Sequence, residues 1–170
     1  MIAAVVLAAG ASTRFGMPKQ RLLLEAVLER IRASSVEEIV VVLGAHAVET
    51  DAPTVRCADW EVGAGASLRC GLDALPDGAE AAIVALADGP DLASTAIDRV
   101  IERWREGGGD VLAASYGGIR GHPVLLARRA WDRVPDEGAR GLEPVLVPCD
   151  DLGAPGDVDY PEDLPERFRD

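Results

Sequence analysis

The chain has 170 residues, 48% apolar and 27% charged, which suits one folded domain, 1–170, with a substantial core and excludes a disordered chain. With 17 Lys and Arg against 29 Asp and Glu, its net charge of -12 excludes a broad nucleic-acid surface, which needs clustered cations. A single nucleotide is a different case, because it needs only a local positive nest.

The first element is an apolar run, Ile2–Ala8, which reads as a buried strand. It is too short to span a bilayer and lacks a charged leader and cleavage site, so a cytoplasmic protein without a membrane partner is expected. A small-residue loop follows, Gly10–Lys19, with two glycines and two cations, Arg14 and Lys19. Leu24, Val27, Leu28 and Ile31 then repeat at helical spacing, and Glu38–Leu43 reads as a second strand. Ser67 is placed to cap a short helix packing through Leu68, Leu72 and Leu75. Ala81–Ala87 is a third buried strand. It precedes a helix through Ile97, Val100, Ile101 and Trp104, with Ser94 as its expected cap and Asp98 near its positive end. Strands are expected at Val111–Ser115, Pro123–Leu126 and Glu143–Pro148, with a tight loop or hairpin reversal over Tyr116–Pro123. The acidic tail breaks at Gly153, Pro155 and Gly156 and offers a short last helix after Pro161.

Strands alternating with helices give right-handed βαβ units, hence an α/β, Rossmann-like three-layer sandwich with a mostly parallel sheet. Ligands of such sheets bind beyond the carboxyl ends of the strands. Four polar or glycine-rich segments follow strand ends and are expected to converge on one crevice: Gly10–Lys19, Gly63–Arg69, Asp88–Asp91 and Gly117–His122.

The first of these carries the most chemistry. Small side chains let backbone N–H groups approach an anion, and Arg14 and Lys19 add a planar fork and a point charge for phosphate oxygens. An ordinary strand-to-helix connection is the plainer alternative. A Walker A loop is excluded, since five residues separate Gly10 from Gly16 and no Gly-Lys follows. Gly63-Ala64-Gly65-Ala66-Ser67-Leu68 begins like a dinucleotide fingerprint but has Leu in place of the third glycine. Asp88, just past a buried strand, suits a divalent cation that also takes phosphate oxygens, or else starts the turn at Gly89-Pro90. The second acidic run, Asp157-Val158-Asp159, is either a partner carboxylate site or the acidic start of the last helix. His122, beside Pro123, either touches substrate or bonds only backbone, and His46 carries no functional assignment. Three scattered cysteines without a CxxC pair indicate neither zinc nor a disulfide framework, so idle thiols in a reducing compartment are expected.

In order along the chain, these segments resemble the molybdenum cofactor cytidylyltransferases, within the MobA-like NTP transferases. That family's opening signature, Leu-x-x-Gly-x-Ser-x-Arg-hydrophobic-Gly-x-x-Lys, is met by Leu7, Gly10, Ser12, Arg14, Phe15, Gly16 and Lys19. The similarity continues through Gly63–Arg69, Ala87–Pro90, Arg120–Val124, Asp136–Arg140 and Asp157–Leu164. It implies a nucleotide-diphospho-sugar transferase-like fold and Mg²⁺-dependent transfer of CMP from CTP to molybdopterin, with pyrophosphate leaving.

By this resemblance Leu7, Ala8, Ala9, Gly10, Ser12, Arg14 and Lys19 bind the nucleotide, together with Gly63, Ala64 and Ser67. Arg14, Lys19 and Asp88 are the implied catalytic residues, and Asp88 and Asp159 the metal ligands, with Asp157 as the substitute for Asp159. Arg120, Gly121, His122 and Pro123 would face the acceptor. CTP rather than GTP is implied by Leu7-Ala8-Ala9-Gly10, where guanylyl relatives carry Leu-Ala-Gly-Gly. The chain departs from the family in a shortened stretch after Lys19 and in Tyr160 where a threonine is usual. Two alternatives stay open: transfer of another nucleotide to a different phosphorylated small molecule, and a non-catalytic accessory protein that hands cofactor to a client molybdoenzyme.

Overall fold

A computed structural model of the chain describes residues 1–10, 17–158 and 160–169. Seven strands form one sheet: β1 (Ile2–Ala8), β2 (Glu38–Leu43), β3 (Thr54–Arg56), β4 (Ala81–Leu86), β5 (Val111–Tyr116), β6 (Ile119–Ala127) and β7 (Val145–Pro148). Their order is β3-β2-β1-β4-β6-β5-β7. Every pairing is parallel except those of β6, which runs against both β4 and β5. The carboxyl ends of the other six strands therefore lie along one edge, and β6 begins there.

The helices are α1 (Met17–Arg32), α2 (Ala64–Asp73) and α3 (Ser94–Arg105). β1 is buried on both faces, and its period-two alternation divides the core. Ile2, Ala4 and Val6 pack with Leu24, Val27, Leu28 and Ile31 of α1 and Ile97, Val100 and Ile101 of α3. Ala3 and Val5 face the other layer, with Leu68 and Leu72 of α2. Gly71 lets α2 settle on the sheet, since a Cβ there would lie 2.4 Å from Val5 and 2.7 Å from Val42. Two helices on one face and one on the other give the expected three layers.

Several sequence expectations are corrected. β3, only three residues long, carries too short an alternation to read as a strand. Ser94 is the first residue of α3, following Ala93, and makes no capping bond. α2 starts at Ala64, so Ser67 is buried inside the helix and caps nothing. The glycines ahead of it form the helix entry instead. β6 runs through Gly121, His122 and Pro123, with a cis His122–Pro123 bond, so only Gly117 and Gly118 turn the hairpin, both at positive φ. After Pro161 the tail forms two short 3-10 turns, Pro161–Asp163 and Glu166–Phe168, in place of a helix. Cys57 and Cys70 are joined as a disulfide with Cα atoms 5.9 Å apart, so two of the three thiols are not idle. Cys57 follows β3 and Cys70 lies in α2, so the pairing arises from the packing of α2 beside the β2–β3 edge, which spacing alone does not reveal. Cys149 is free and buried. Among the described residues no helix is long and apolar enough to cross a membrane.

Candidate active site

Main-chain bonds fasten the strand ends to one another. The Leu7 carbonyl accepts from Ala87 N–H at 3.1 Å, and the Ala9 carbonyl accepts from Ala45 N–H at 3.3 Å. Ala8 and Ala9 are buried, whereas Gly10 is exposed with open space where a Cβ would stand. Leu7–Gly10 thus occupy the carboxyl end of β1, where the sequence places the nucleotide. Ser12 and Arg14 lie outside the described residues. Lys19 falls in the first turn of α1, and its side chain lies outside them as well.

The second nucleotide segment is built differently from its sequence reading. A Cβ on Gly65 would stand 1.9 Å from the Pro135 carbonyl oxygen, and one on Gly63 would stand 2.8 Å from that of Asp136. The Gly65 N–H donates to the Asp136 carbonyl at 2.9 Å. These glycines admit a neighbouring backbone, residues 135–138, against the start of α2. Gly63, Ala64 and Ser67 do not line the pocket described next.

Asp88 follows β4, and its Oδ1 is buried. Its carbonyl accepts from Val158 N–H at 3.1 Å, and the Pro155 carbonyl accepts from Asp91 N–H at 3.1 Å. Arg167 pairs with Asp91 at 2.6 Å and holds the same tail from outside. The carboxylate-bearing segment is thereby laid against the end of β4, which brings the backbone next to Asp157 to that of Asp88, 69 positions earlier in the chain. Asp159 lies outside the described residues. The donor set is hard oxygen at the end of a strand, which fits a small divalent cation completed by phosphate oxygens. Among the described residues no group of three His, Cys, Asp or Glu is gathered for a metal.

Beside this corner is a pocket of about 500 Å³. Leu86 and Leu92 lie at its apolar side, and Tyr116, His122, Arg140 and Asp157 are among its polar lining. Arg120 and Gly121 also line it, while Pro123 is buried within β6. The Tyr116 hydroxyl donates to the His122 carbonyl at 2.6 Å, and burial pushes its pKa up to about 12. Gly121 lets the Tyr116 ring lie close, since a Cβ would meet it at 3.0 Å. Burial holds the His122 imidazole below its ordinary value; the Asp157 charge opposes that shift and the Arg120 charge adds to it. The His122 carbonyl is thus engaged by Tyr116, and the residue lines the pocket.

Arg120 differs from expectation. Its guanidinium donates to the carbonyls of Ala139, Arg140 and Leu142, at 2.5, 3.3 and 2.7 Å. The cation that is exposed at the pocket is Arg140, to which the sequence reading assigned no role. Its signal was present in Asp136-Glu137-Gly138-Ala139-Arg140, where the turn at Gly138, at φ +82°, presents the arginine.

A family model, the MobA-like NTP transferase domain, matches residues 4–150. The chain belongs to this family. No curated protein matches it. Among solved structures it resembles Rv0371c from Mycobacterium tuberculosis H37Rv, at 27% identity over 95% of this chain and 94% of that one, with a TM-score of 0.75. It also resembles the manganese complex of Rv0371c, at 25% identity over 95% of each chain, with a TM-score of 0.69. Molybdopterin-guanine dinucleotide biosynthesis protein A from Archaeoglobus fulgidus shares 18% identity over 98% of this chain and 96% of that one, with a TM-score of 0.66, a likeness of fold alone. The MobA-like chain is thus a nucleotidyltransferase with the nucleotide-diphospho-sugar transferase fold, and the strand-end crevice is where such a sheet binds its ligands.

Proposed function

We propose that residues 1–170 act as one cytoplasmic domain that transfers CMP from CTP to molybdopterin and releases pyrophosphate. The observation that carries this reading is the juxtaposition at the end of β4. The Val158–Asp88 bond draws an acidic tail to a buried carboxylate oxygen, beside a pocket lined by Arg140 and His122. CTP is favoured by Ala8-Ala9 at the end of β1, and the molybdopterin acceptor by the resemblance in the sequence.

Nucleotidyl transfer depends mainly on positioning and charge neutralisation. In this reading Leu7, Ala8, Ala9 and Gly10 offer small side chains and backbone to the nucleotide, with Ser12, Arg14 and Lys19 continuing the cradle. Arg14 and Lys19 take up charge on the departing pyrophosphate. Gly63, Ala64 and Ser67 support the base side at the entry to α2. Gly121, His122 and Arg140 face the acceptor, with Arg120 and Pro123 behind them. A half-buried imidazole at His122, its pKa held low by desolvation, can accept a proton from the attacking phosphate, or stay uncharged while Arg140 meets that anion. Asp88 and Asp159 would hold the divalent ion, Asp157 being the substitute, and manganese in the Rv0371c complex supports a metal of this kind. Bound there, Mg²⁺ would neutralise negative charge at the reacting phosphate.

Pyrophosphate release from CTP, Mg²⁺ and molybdopterin tests this directly, with GTP run alongside. Turnover with CTP well above GTP is expected, and Lys19→Ala is expected to lower kcat on the order of 10²–10³-fold while the melting temperature holds. Equal use of both nucleotides contradicts the cytidylyl assignment. Binding of nucleotide without any pyrophosphate release would favour the accessory-protein reading.

A further inference from the structure

Residues 134–142 lie between α2 and β6 and are gripped from both. From α2, Arg69 donates to the Val134 carbonyl at 2.8 Å and to the Asp136 carboxylate at 2.9 Å. From β6, Arg120 donates to the carbonyls of Ala139, Arg140 and Leu142. Gly138 closes the stretch on Ala64, where an added Cβ would stand 3.1 Å away. The side chain this stretch offers to the pocket is Arg140, which makes no ion pair among the described residues.

Two properties of these contacts matter. The Arg69–Asp136 ion pair is exposed and contributes little by itself, so the weight falls on the bonds to backbone carbonyls. A guanidinium presents five N–H donors in a rigid plane, and three carbonyls converging on one such plane fix the loop's shape rather than merely neutralise charge. A lysine ammonium carries the same charge without that fork. An arginine so engaged has few donors left for a substrate anion, whereas the Arg140 side chain donates to no group among the described residues.

We propose that Arg69 and Arg120 are positioning residues: gripping residues 134–142 from α2 and from β6, they brace that stretch between the two elements and aim Arg140 at the phosphate of the acceptor. The inference rests on reading the pocket as the acceptor site. It differs from the sequence expectation in making Arg120 act through Arg140 instead of touching substrate itself.

The test compares wild type with Arg69→Ala, Arg120→Ala, Arg120→Lys, Arg140→Ala and the Arg120→Ala/Arg140→Ala double variant. Amide hydrogen exchange is read over residues 134–142, and inorganic phosphate is titrated as the probe of the pocket. Amides of 138–142 are expected to exchange on the order of tenfold faster in Arg120→Ala, as follows from losing charge-assisted bonds. Arg120→Lys should behave likewise and serves should the alanine variant fail to fold; Arg69→Ala should loosen 134–138. Arg140→Ala should leave exchange unchanged. Phosphate affinity should fall by similar factors in Arg120→Ala and Arg140→Ala, with no further fall in the double variant, the signature of two residues acting as one unit. Unchanged exchange in both the Arg69 and Arg120 variants would overturn the brace, as would additive losses of phosphate affinity. Faster exchange in the variants, together with a wild type that binds no phosphate, would support the brace and count against the acceptor reading alone.

Discussion

The MobA-like chain has two glycine-rich segments at the same edge of the sheet, Gly63-Ala64-Gly65 and Gly117-Gly118, and they do opposite things. Around Gly65 there is no room: a Cβ would run into the backbone of Pro135 and Asp136. Around Gly117 and Gly118 there is nothing within 4 Å, and the residues matter only for φ values of +62° and +77°, which turn the β5–β6 hairpin. One pair is required by a neighbour, the other by the chain's own direction. In sequence both belong to the strand-end segments expected to converge on one crevice. The contrast shows why a glycine run alone does not identify a phosphate site.

The strongest way to break this contrast is Gly65→Ala. In an open helix the change would stabilise, by up to about 1 kcal/mol. Here a loss of about 3 kcal/mol is expected, because backbone must move to admit the methyl group. Chemical denaturation gives the sign at once, and a gain would mean that α2 does not press on residues 135–138. Gly117→Ala is expected to cost about 1 kcal/mol, from the left-handed conformation alone, with residues 134–142 unaffected.

Two pH experiments sharpen the comparison on the hairpin side. The folded-state pKa of His122 lies below its unfolded value, so the folded protein binds the proton less readily. Its contribution to stability is full above about pH 6.5 and is lost as pH falls below that value. His122→Gln is expected to flatten that part of a stability–pH profile, and Asp157→Asn to steepen it by removing the opposing charge. The smallest effect concerns the corner that fastens the hairpin turn, where Asp150 accepts from Gly117 N–H and Asp151 pairs with Arg99 at 2.6 Å. The bond from Arg99 lowers the Asp151 pKa from 3.8 to about 2. A folded value below the unfolded one gives stability that is present above about pH 4 and lost as pH falls toward 2. Asp151→Asn should erase that slope and change little at neutral pH, since the pair is exposed.

What could be read from the sequence followed from how much each element repeats itself. β1 and β2 are near-continuous apolar runs with their ends where the side chains predict, and the faces of α1 and α3 follow helical spacing over two turns. β3 offers three residues, too few for any period. α2 hides its start because Ala64-Gly65-Ala66 has almost no polarity pattern, and its first turn is set by packing against residues 135–138, a contact across more than 70 positions. The Cys57–Cys70 pairing and the role of Arg120 depend on such contacts too. What was legible of the site is the placement of strand-end segments: the tail at Val158 is bonded to the end of β4, and Arg120, Gly121 and His122 line a pocket. Which arginine faces it was not legible, because Arg120 and Arg140 differ only in what the folded backbone presents to them.

The central claim is that the end of β4 and the acidic tail form one nucleotide–metal site. A crystal structure with CTP and Mg²⁺ tests it most directly. The account predicts one ion held by carboxylate oxygens of Asp88 and Asp159 at roughly 2.1 Å, with phosphate oxygens of the nucleotide completing the shell. Carboxylates of Asp88 and Asp159 more than about 8 Å apart in that complex could not share an ion with such bond lengths, and would contradict it.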